Sequence, residues 1–306
     1  MTQLTKTQKI GSCLWFDNQA EEAVNFYTSI FKNAKIGEIS RYGEAGHEAH
    51  GRPAGSVMTI EFQLEGQTFT ALNGGPHFKF TPAVSFFIIC DTEEALDKLW
   101  EKLSEGGKTL MPLQKYPFSE KYGWTADKYG LTWQVTITGN NDLEQKLTPS
   151  LMFVGEQAGK AEEAINFYAS VFDDSKVGGI FRYGPDQKPD KEGTVEYGDF
   201  ILAGQTFIAM DSALEHDFTF NEAISLVVHC ETQEEVDGYW EKLSAVPGSE
   251  QCGWLKDKFG VSWQIIPKAL IGMMNDLDPE KFGRIMEAML QMKKIDIAKL
   301  KQAHEQ

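Results

Sequence analysis

An internal repeat is the feature that most constrains how this chain can fold. The segment Ala20–Phe31 (AEEAVNFYTSIF) returns as Ala161–Phe172 (AEEAINFYASVF), and Asp127–Gln134 (DKYGLTWQ) returns as Asp257–Gln264 (DKFGVSWQ). Three shorter matches, RYG, GQTF and WEKL, occur once in each copy and keep the same order. Chance does not preserve five matches in order. We therefore predict two tandem domains of about 130 residues.

The predicted domain boundaries follow the repeat. A polar run at Gly139–Lys146 (GNNDLEQK) separates the copies and is the predicted linker. The first domain then covers residues 1–143 and the second covers residues 144–275. Residues 276–306 have no counterpart in the first copy and form a C-terminal extension.

Each copy contains the same pattern of predicted elements. In the first copy an apolar strand at 12–16 precedes an amphipathic helix at 20–31, and three strands follow near 36–42, 56–64 and 67–72. The second half repeats the theme, with an apolar strand at 83–90 and a helix at 92–103 for which we predict Asp91 as N-cap. Three more strands follow near 109–111, 123–127 and 132–136. Each domain is thus predicted to be α+β, built of two βαβββ modules.

The C-terminal extension is predicted to be helical. Asp278-Pro279-Glu280 is a typical helix start, with Asp as N-cap and Pro at the first helical position. The helix is expected to run to about Lys293, and a second short helix to begin near Asp296. Its apolar side favours packing on the second domain. A dimer contact or a lid are the alternatives.

Composition excludes several classes of function. The formal charge is −16, and this argues against nucleic acid and against an anionic membrane surface, where basic patches supply affinity. The four cysteines, at positions 13, 90, 230 and 252, form no C-x-x-C pair, so free, mostly buried thiols in a reducing cytoplasm are expected. No apolar run approaches the roughly 20 residues of a membrane span, and the N-terminus lacks a signal-peptide core. We therefore predict a cytoplasmic protein.

The paired βαβββ modules, the AEEAxxFY helix and the DKxGxxWQ ending resemble the PhnB-like family. Its domain is also called demethylubiquinone methyltransferase-like, and it belongs to the vicinal oxygen chelate superfamily with glyoxalase I. The resemblance covers nearly the whole chain except the first residues and the extension. It implies that eight strands curl into a cup that holds a ligand. It also implies an internal pseudo-dimer of the two copies, and a homo-oligomer remains an alternative.

The resemblance implies three metal-ligand positions, held by His, His and Glu in metal-dependent relatives. By motif spacing these positions are filled here by neutral or apolar residues, which are Ser12, Ser85 and Gln134 in copy one and Pro149, Ser225 and Gln264 in copy two. None is a usual ligand of zinc, iron or manganese. We therefore predict no bound metal and no cofactor. His229 ends an apolar strand and is predicted to be satisfied locally rather than to bind a metal.

Without a metal, specificity in a cup depends on apolar walls and a few polar groups. Arg41-Tyr42 and Arg182-Tyr183 end the second strand of each copy, where an Arg could hold a carboxylate or phosphate. Pairing with an acid at the rim is the alternative. The other candidate ligand contacts are Trp124, Trp254, Ser85, Ser225, Gln134 and Gln264, with core packing as the alternative for the two tryptophans.

Glu61 and Glu196 are weak candidates for a general base, if desolvated. They lie on corresponding strands only by a loose alignment, and a surface carboxylate is the alternative for both. No Gly-x-Gly-x-x-Gly turn is present, which argues against a nucleotide-type methyl donor held in a strand-to-helix turn.

Three functions remain open at the level of sequence. We favour a small-molecule binding cup without the usual metal ligands. A lyase or isomerase with a nonstandard or absent metal site is the first alternative, and a structural or interaction protein that docks through the extension is the second. An open apolar cup favours the first function, converging Arg and Glu favour the enzyme, and a cup filled by aromatic side chains favours the third.

Overall fold

The computed structural model describes residues 8–137, 145–274 and 278–306. The predicted linker, except for its last two residues, lies outside the described residues. The predicted boundaries at 143–144 and 275–276 lie outside them as well.

Copy one forms the two predicted modules. The first consists of β1 (Ile10–Phe16), α1 (Ala20–Ile30), β2 (Ala34–Arg41), β3 (Val57–Leu64) and β4 (Gln67–Asn73), with the short helix α2 (His47–His50) between β2 and β3. The second consists of β5 (Val84–Cys90), α3 (Glu93–Ser104), β6 (Lys108–Tyr116), β7 (Ser119–Ala126) and β8 (Thr132–Ile137).

Copy two repeats this order with one strand fewer. Its first module consists of β9 (Leu147–Phe153), α4 (Ala161–Val171), β10 (Lys176–Arg182), β11 (Val195–Leu202) and β12 (Gln205–Asp211). Its second consists of β13 (Ile224–Cys230), α5 (Gln233–Leu243), β14 (Trp254–Lys256) and β15 (Ser262–Pro267).

The extension contains the two predicted helices, α7 (Pro279–Leu290) and α8 (Ile297–Glu305). The side chain of Asp278 accepts from the first backbone N–H groups of α7, as its sequence predicts, and Asp296 caps α8 in the same way. A further helix, α6 (Lys268–Met274), follows β15 directly and was not expected.

The predicted N-cap of α3 was wrong by one residue. Thr92, in extended conformation, accepts a hydrogen bond from the backbone N–H of Ala95 (3.1 Å), while Asp91 pairs with Lys146 (2.6 Å). A cap must reach the backbone two or three residues ahead, and the hydroxyl of Thr92 does so here. Thr232 caps α5 in the same way.

The two sheets do not coincide with the two copies. The first sheet has the order β14-β15-β13-β1-β4-β3-β2, and the second has the order β10-β11-β12-β9-β5-β8-β7-β6. Strand β1 pairs antiparallel with β13, so that Cys13 lies opposite Ser225. Strand β5 pairs in the same way with β9, so that Ser85 lies opposite Ser150. Each sheet therefore joins the first module of one copy to the second module of the other.

One hydrophobic core contains side chains of both sheets and of helices α1, α3, α4 and α5. At its centre the buried carboxylate of Asp127 accepts hydrogen bonds from the Tyr27 hydroxyl and the Trp133 indole (both 2.8 Å). Two backbone N–H groups also donate to it. Asp257 repeats this arrangement with Tyr168 and Trp263.

These contacts give the DKxGxxWQ motif the same role in both copies, which is to hold a buried aspartate among four hydrogen-bond donors. Burial raises the pKa of both aspartates, and the four donors around each one oppose that rise by stabilising the charged form. The motif thus ties the loop before the last strand to the first helix of the same copy. Its role is structural.

Candidate functional site

Each sheet has a second face, turned away from the core helices. Along β1 the residues Ile10, Leu14 and Phe16 enter the core, so Cys13 and Trp15 lie on the other face. We call this face of the first sheet cup 1 and that of the second sheet cup 2. Because each sheet mixes modules, each cup contains residues of both copies.

The base of cup 2 is a cluster of neutral side chains that bind one another. The amide nitrogen of Gln134 donates to the hydroxyl of Ser85 (2.7 Å) and lies 3.5 Å from that of Ser150. The hydroxyl of Tyr122 donates to the amide oxygen of Gln134 (2.6 Å). All four residues are buried. Sequence reasoning missed Ser150 and Tyr122.

Cup 1 has the equivalent base. Gln264 donates to the hydroxyl of Ser225 (2.8 Å), and Cys13 lies beside both. Burial raises the pKa of the Cys13 thiol to about 11, which keeps it neutral at physiological pH. Cys252 replaces Tyr122 by alignment, and its thiol donates to the backbone oxygen of Met289 (3.5 Å) instead.

The mapping of the first-strand position needs a correction. Ser12 and Pro149 occupy the core side of their strands, because side chains alternate between the two faces. The residues that join the polar bases are the next ones, Cys13 and Ser150. Spacing located the position to within one residue, but a shift of one residue changes the face of the sheet.

The three positions in each cup do not fit a divalent transition metal. They offer hydroxyls, amides and one protonated thiol, whereas such metals bind imidazole, thiolate and carboxylate. Within the described part of the chain no group of three or more His, Cys, Asp and Glu is placed to hold a metal ion. A metal at these positions would also have to break the hydrogen bonds of Gln134 or Gln264.

The two predicted arginine sites lie outside the cups. Arg182 forms a two-pronged ion pair with Glu162 of helix α4 (2.7 Å for each contact). Arg41 donates to the backbone oxygen of Gly55 (3.0 Å). Both guanidinium groups are exposed, and helix α4 packs on the core face. Neither arginine faces a cup base.

The neighbouring tyrosines have a structural role. The hydroxyl of Tyr42 donates to the backbone oxygen of Asn73 (2.7 Å), and that of Tyr183 donates to the equivalent oxygen of Asp211 (3.1 Å). These bonds close the loop between the second and third strand of each first module. They leave neither hydroxyl directed at a cup base.

The two candidate tryptophans do lie on the cup faces. Trp124 is opposite Gln134, and its buried indole N–H has no hydrogen-bond partner among the described residues. Trp254 is opposite Gln264 and contacts Trp15 edge-on, with ring centroids 5.9 Å apart. Trp15 was not predicted, because an aromatic residue on an apolar strand is typical of a core.

The two candidate carboxylates are not equivalent positions. Glu61 lies opposite Thr70, and Asp199 lies opposite the counterpart of Thr70, which is Ile208. Asp199 is therefore the counterpart of Glu61 in the second copy. Glu196 takes the place of Met58 at the rim, where it accepts from the side-chain amide of Gln187 (3.0 Å). Burial raises the pKa of Glu61, and the nearby Glu38 adds to this.

The extension covers cup 1. Met286 of α7 packs with Tyr42 and Met58 at one side of the cup, and Leu72 joins them. On the other side Ile266 packs against the cluster that contains Leu270, Ile285, Met292, Ile295 and Leu300. Met274 of α6 and Met289 of α7 contribute to both clusters, so α6 and the extension together span the cup from side to side.

The extension also replaces a missing strand. Ten residues (244–253) join α5 to β14, whereas the aligned stretch of copy one has twenty (104–123) and contains β6 and the first part of β7. Just before β14 the backbone N–H groups of Cys252 and Gly253 donate to the backbone oxygens of Met292 and Lys293 of the extension (2.8 and 2.7 Å). The extension therefore satisfies two backbone groups just before β14, whereas Trp254 and Lys256 of β14 itself bond to Gln251 and Ala245.

A cleft of about 910 Å³ extends from the cup face of the second sheet to the end of α4 and to α5. Its apolar wall contains Phe87, Ile89 and Ile208, and Ile208 lies opposite Ser150 of the polar base. At the seam between the copies the cleft is lined by Gln67 and Gln205. Charged, hydroxyl and further aromatic side chains also line it, among them Lys9, Asp173, Asp174, Tyr197, Asp199, Thr206, Glu235 and Tyr239.

Comparison with known proteins yields a family match and a fold match. The family model of 3-demethylubiquinone-9 3-methyltransferase matches residues 8–136 and again residues 145–266. A Bacillus cereus PhnB protein, described as a 3-demethylubiquinone-9 3-methyltransferase, is 45% identical over 43% of this chain and 100% of its own (TM-score 0.39). Glyoxalase I from Zea mays, in its E144Q form, is 12% identical over 88% of this chain and 97% of its own (TM-score 0.52), and this likeness concerns the fold alone. None of the curated proteins compared matches the chain.

Among the described residues no helix is long and apolar enough to cross a membrane. All four cysteines are unpaired there, and Cys13, Cys90 and Cys230 are buried.

Proposed function

Because the chain belongs to the PhnB-like 3-demethylubiquinone-9 3-methyltransferase family and has a glyoxalase-type fold, we propose that it binds a small molecule in cup 2 without a metal. The observation that carries this proposal is the cleft of about 910 Å³ along the cup face, lined by Phe87, Ile89 and Ile208. This volume lies within the range of about 300–1,000 Å³ that is typical of small-molecule sites, and the apolar wall of the cleft adjoins several polar and charged groups.

The polar base supports the metal-free part of the proposal. Ser85, Gln134 and Ser150 are neutral, and the hydrogen-bonding capacity of Gln134 is used by Ser85 and Tyr122. A divalent ion would gain no carboxylate and would lose these bonds. The base therefore acts as a rigid, neutral floor beside the cleft. Methyl transfer is not part of the proposal, since the chain lacks the glycine-rich turn that commonly cradles a nucleotide-type donor.

The two alternatives receive less support. An enzyme that uses Arg41 or Arg182 with Glu61 or Glu196 needs these groups to converge, yet Arg182 is paired with Glu162 on the opposite side of its sheet. An interaction protein that docks through helix α7 needs its apolar side to be available. That side packs on Tyr42, Met58 and Leu72 of the same chain.

A thermal-shift screen of small molecules tests the binding site directly. Thr206 lines the cleft and is half-buried, so Thr206→Trp should fill it and abolish the shifts given by true ligands. Thr68 is the equivalent residue on cup 1, and Thr68→Trp is the matched control that should leave those shifts intact. Ligand shifts that survive Thr206→Trp, or a full screen without any ligand, would refute cup 2 as the site.

Metal content tests the second part of the proposal. We expect the protein purified without chelators to contain less than about 0.1 divalent ion per chain and to take up no zinc, manganese or iron. The variant Ser85→His/Gln134→Glu/Ser150→His installs the ligand types of metal-dependent relatives at the floor of cup 2 and serves as the positive control. About one ion per wild-type chain, lost in Ser85→Ala/Gln134→Ala, would overturn the metal-free proposal.

A further inference from the structure

We propose that the cleft of cup 2 selects organic cations, with the ligand placing an apolar body on the cup wall and a primary ammonium group at the seam. This inference rests on the proposed binding function and adds the chemical class of the ligand. The charges that line the cleft, a buried acceptor without a donor, and an ammonium group already held there support it.

The cleft is strongly acidic. Four carboxylates line it, those of Asp173, Asp174, Asp199 and Glu235, against the single ammonium of Lys9. That ammonium is already paired with Glu235 at 2.8 Å. Asp173 and Asp174 form no ion pair with any residue in the described ranges. Three negative charges are therefore left in excess, and they favour a cationic ligand over a neutral or anionic one.

The acidic pair belongs to this cleft only. In copy one the residues that follow the first helix are Lys32 and Asn33, where copy two has Asp173 and Asp174. The two ends of the pseudo-symmetric molecule therefore carry different charges. If Asp173 and Asp174 only reflected the acidic charge of the whole surface, the equivalent loop of copy one would be expected to be acidic as well.

A buried acceptor at the seam gives an independent indication of a ligand. The side chain of Gln205 is 8% exposed and lines the cleft. Its amide nitrogen donates to the side-chain oxygen of Gln67 (2.8 Å), which also accepts from Gln8. The amide oxygen of Gln205 is buried and accepts no hydrogen bond from the described residues. A small turn of this side chain toward the cleft would let a ligand N–H group satisfy it.

Lys9 shows how this wall holds an ammonium group. Its Nζ lies 2.8 Å from the carboxylate of Glu235 and 5.1 Å from the ring centroid of Tyr239. A carboxylate together with an aromatic face is a known combination for amines. The apolar wall formed by Phe87, Ile89 and Ile208 then accommodates the hydrocarbon part of the same ligand.

Three probes with one common body test the ligand class. Calorimetric titration of the full chain with 4-phenylbutylamine, 4-phenylbutanol and 4-phenylbutyrate varies only the charge. We expect the amine to bind about tenfold tighter than the alcohol, and the acid to bind at least tenfold weaker than the alcohol. The advantage of the amine should shrink between 50 and 300 mM NaCl, because salt screens partly exposed charges.

Matched variants test which residues of the cleft cause the preference for the amine. Asp173→Asn/Asp174→Asn should weaken the amine about tenfold and leave the alcohol unchanged. Glu105→Gln/Glu120→Gln removes the same number of charges from exposed positions outside the cleft and should change neither. Gln205→Leu should weaken the amine at least threefold, since the buried acceptor is removed. Unchanged melting temperatures confirm that each variant is folded.

The outcomes separate this inference from the proposed function. Equal binding of all three probes, or tighter binding of the acid, overturns the ammonium class but leaves cup binding intact, provided that Thr206→Trp abolishes it. Amine binding that is insensitive to both Thr206→Trp and Asp173→Asn/Asp174→Asn overturns the assigned site. If no probe binds, the inference falls, while the library screen with Thr206→Trp still decides the proposed function on its own.

Discussion

The two cups share a polar base but differ at the rim. In cup 1 the rim residues Met58 and Leu72 pack against Met286 of the extension. In cup 2 the equivalent residues are Glu196 and Met210, and Glu196 accepts a hydrogen bond from Gln187. A single change of residue type, from an apolar to a charged side chain, thus accompanies the change from a covered to an open cup. The duplicated scaffold leaves two cups with different access.

The outer edge strands of the two sheets differ as well, and again the extension acts on the first sheet. Strand β6 completes the second sheet, whereas the first sheet ends at the three-residue strand β14, and the two residues just before β14 donate backbone hydrogen bonds to the extension. The same segment therefore binds beside a sheet edge and covers a cup. Because a bare edge strand and an exposed methionine patch both invite aggregation, the extension stabilises the half of the molecule that lacks β6.

Placing a charge under the extension should have the largest effect. Met58→Glu copies the residue of cup 2 into cup 1, and burying an unpaired carboxylate should cost about 3–4 kcal/mol or detach helix α7. Urea denaturation measures the cost, and hydrogen exchange of residues 279–290 reports detachment. The reverse change, Glu196→Met, should stay within about 0.5 kcal/mol. Equal effects of the two changes would show that the extension does not distinguish the cups.

The second prediction concerns His229, whose counterpart in cup 2 is Ile89. Burial lowers the pKa of His229 to about 4, and the nearby Lys268 and Lys9 add to this. The unfolded chain binds a proton near pH 6.5 and the folded chain does not, so stability falls as pH drops from about 6.5 to 4, by up to about 3 kcal/mol.

His229→Ile should therefore flatten this part of the pH profile and should change stability little at pH 7. Denaturant titrations of both proteins at pH 7, 5.5 and 4.5 measure the difference. Ile89→His, which places the group on cup 2, is the reciprocal variant. A difference between wild type and His229→Ile that is the same at every pH would refute the protonation argument.

Truncation of the central methionine of the extension should have a similar or slightly smaller effect. Met286 is 5% exposed within its cluster, so Met286→Ala should cost about 2–3 kcal/mol through lost burial and the cavity left behind. Met210→Ala, at the uncovered rim of cup 2, should cost about 1 kcal/mol or less, because Met210 is only partly buried. Equal costs would mean that cup 2 is covered as well.

The smallest effect is expected at the base of cup 2. Tyr122→Phe removes the donor to Gln134 and should cost about 1 kcal/mol, since the amide oxygen stays buried. Tyr116→Phe removes an exposed bond to the backbone of Pro112 and should cost less than about 0.5 kcal/mol. Thermal and urea denaturation of both variants measure these costs. A cost for Tyr122→Phe below that of Tyr116→Phe would contradict the closed hydrogen-bonded base.

The repeat, the α+β class, the paired modules and the two extension helices could be predicted from the sequence. Helix α7 illustrates why, since Asp278 and Pro279 determine its start through local backbone chemistry. The candidate site could be predicted only in part. Ser85, Gln134, Ser225 and Gln264 were identified from motif spacing, whereas the first-strand position was displaced by one residue. That displacement matters because adjacent strand residues lie on opposite faces.

What the sequence determined by itself is therefore everything that depends on neighbours along the chain: the duplication, the element order, the helix caps and the neutral character of the cup bases. The tertiary structure alone decided which modules share a sheet, since nothing local indicates that β1 pairs with β13 and β5 with β9. It also decided which cup the extension covers and where the acidic cleft opens. These features arise from contacts between residues far apart in the chain, and long-range pairing depends on the packing of the whole molecule rather than on any local pattern.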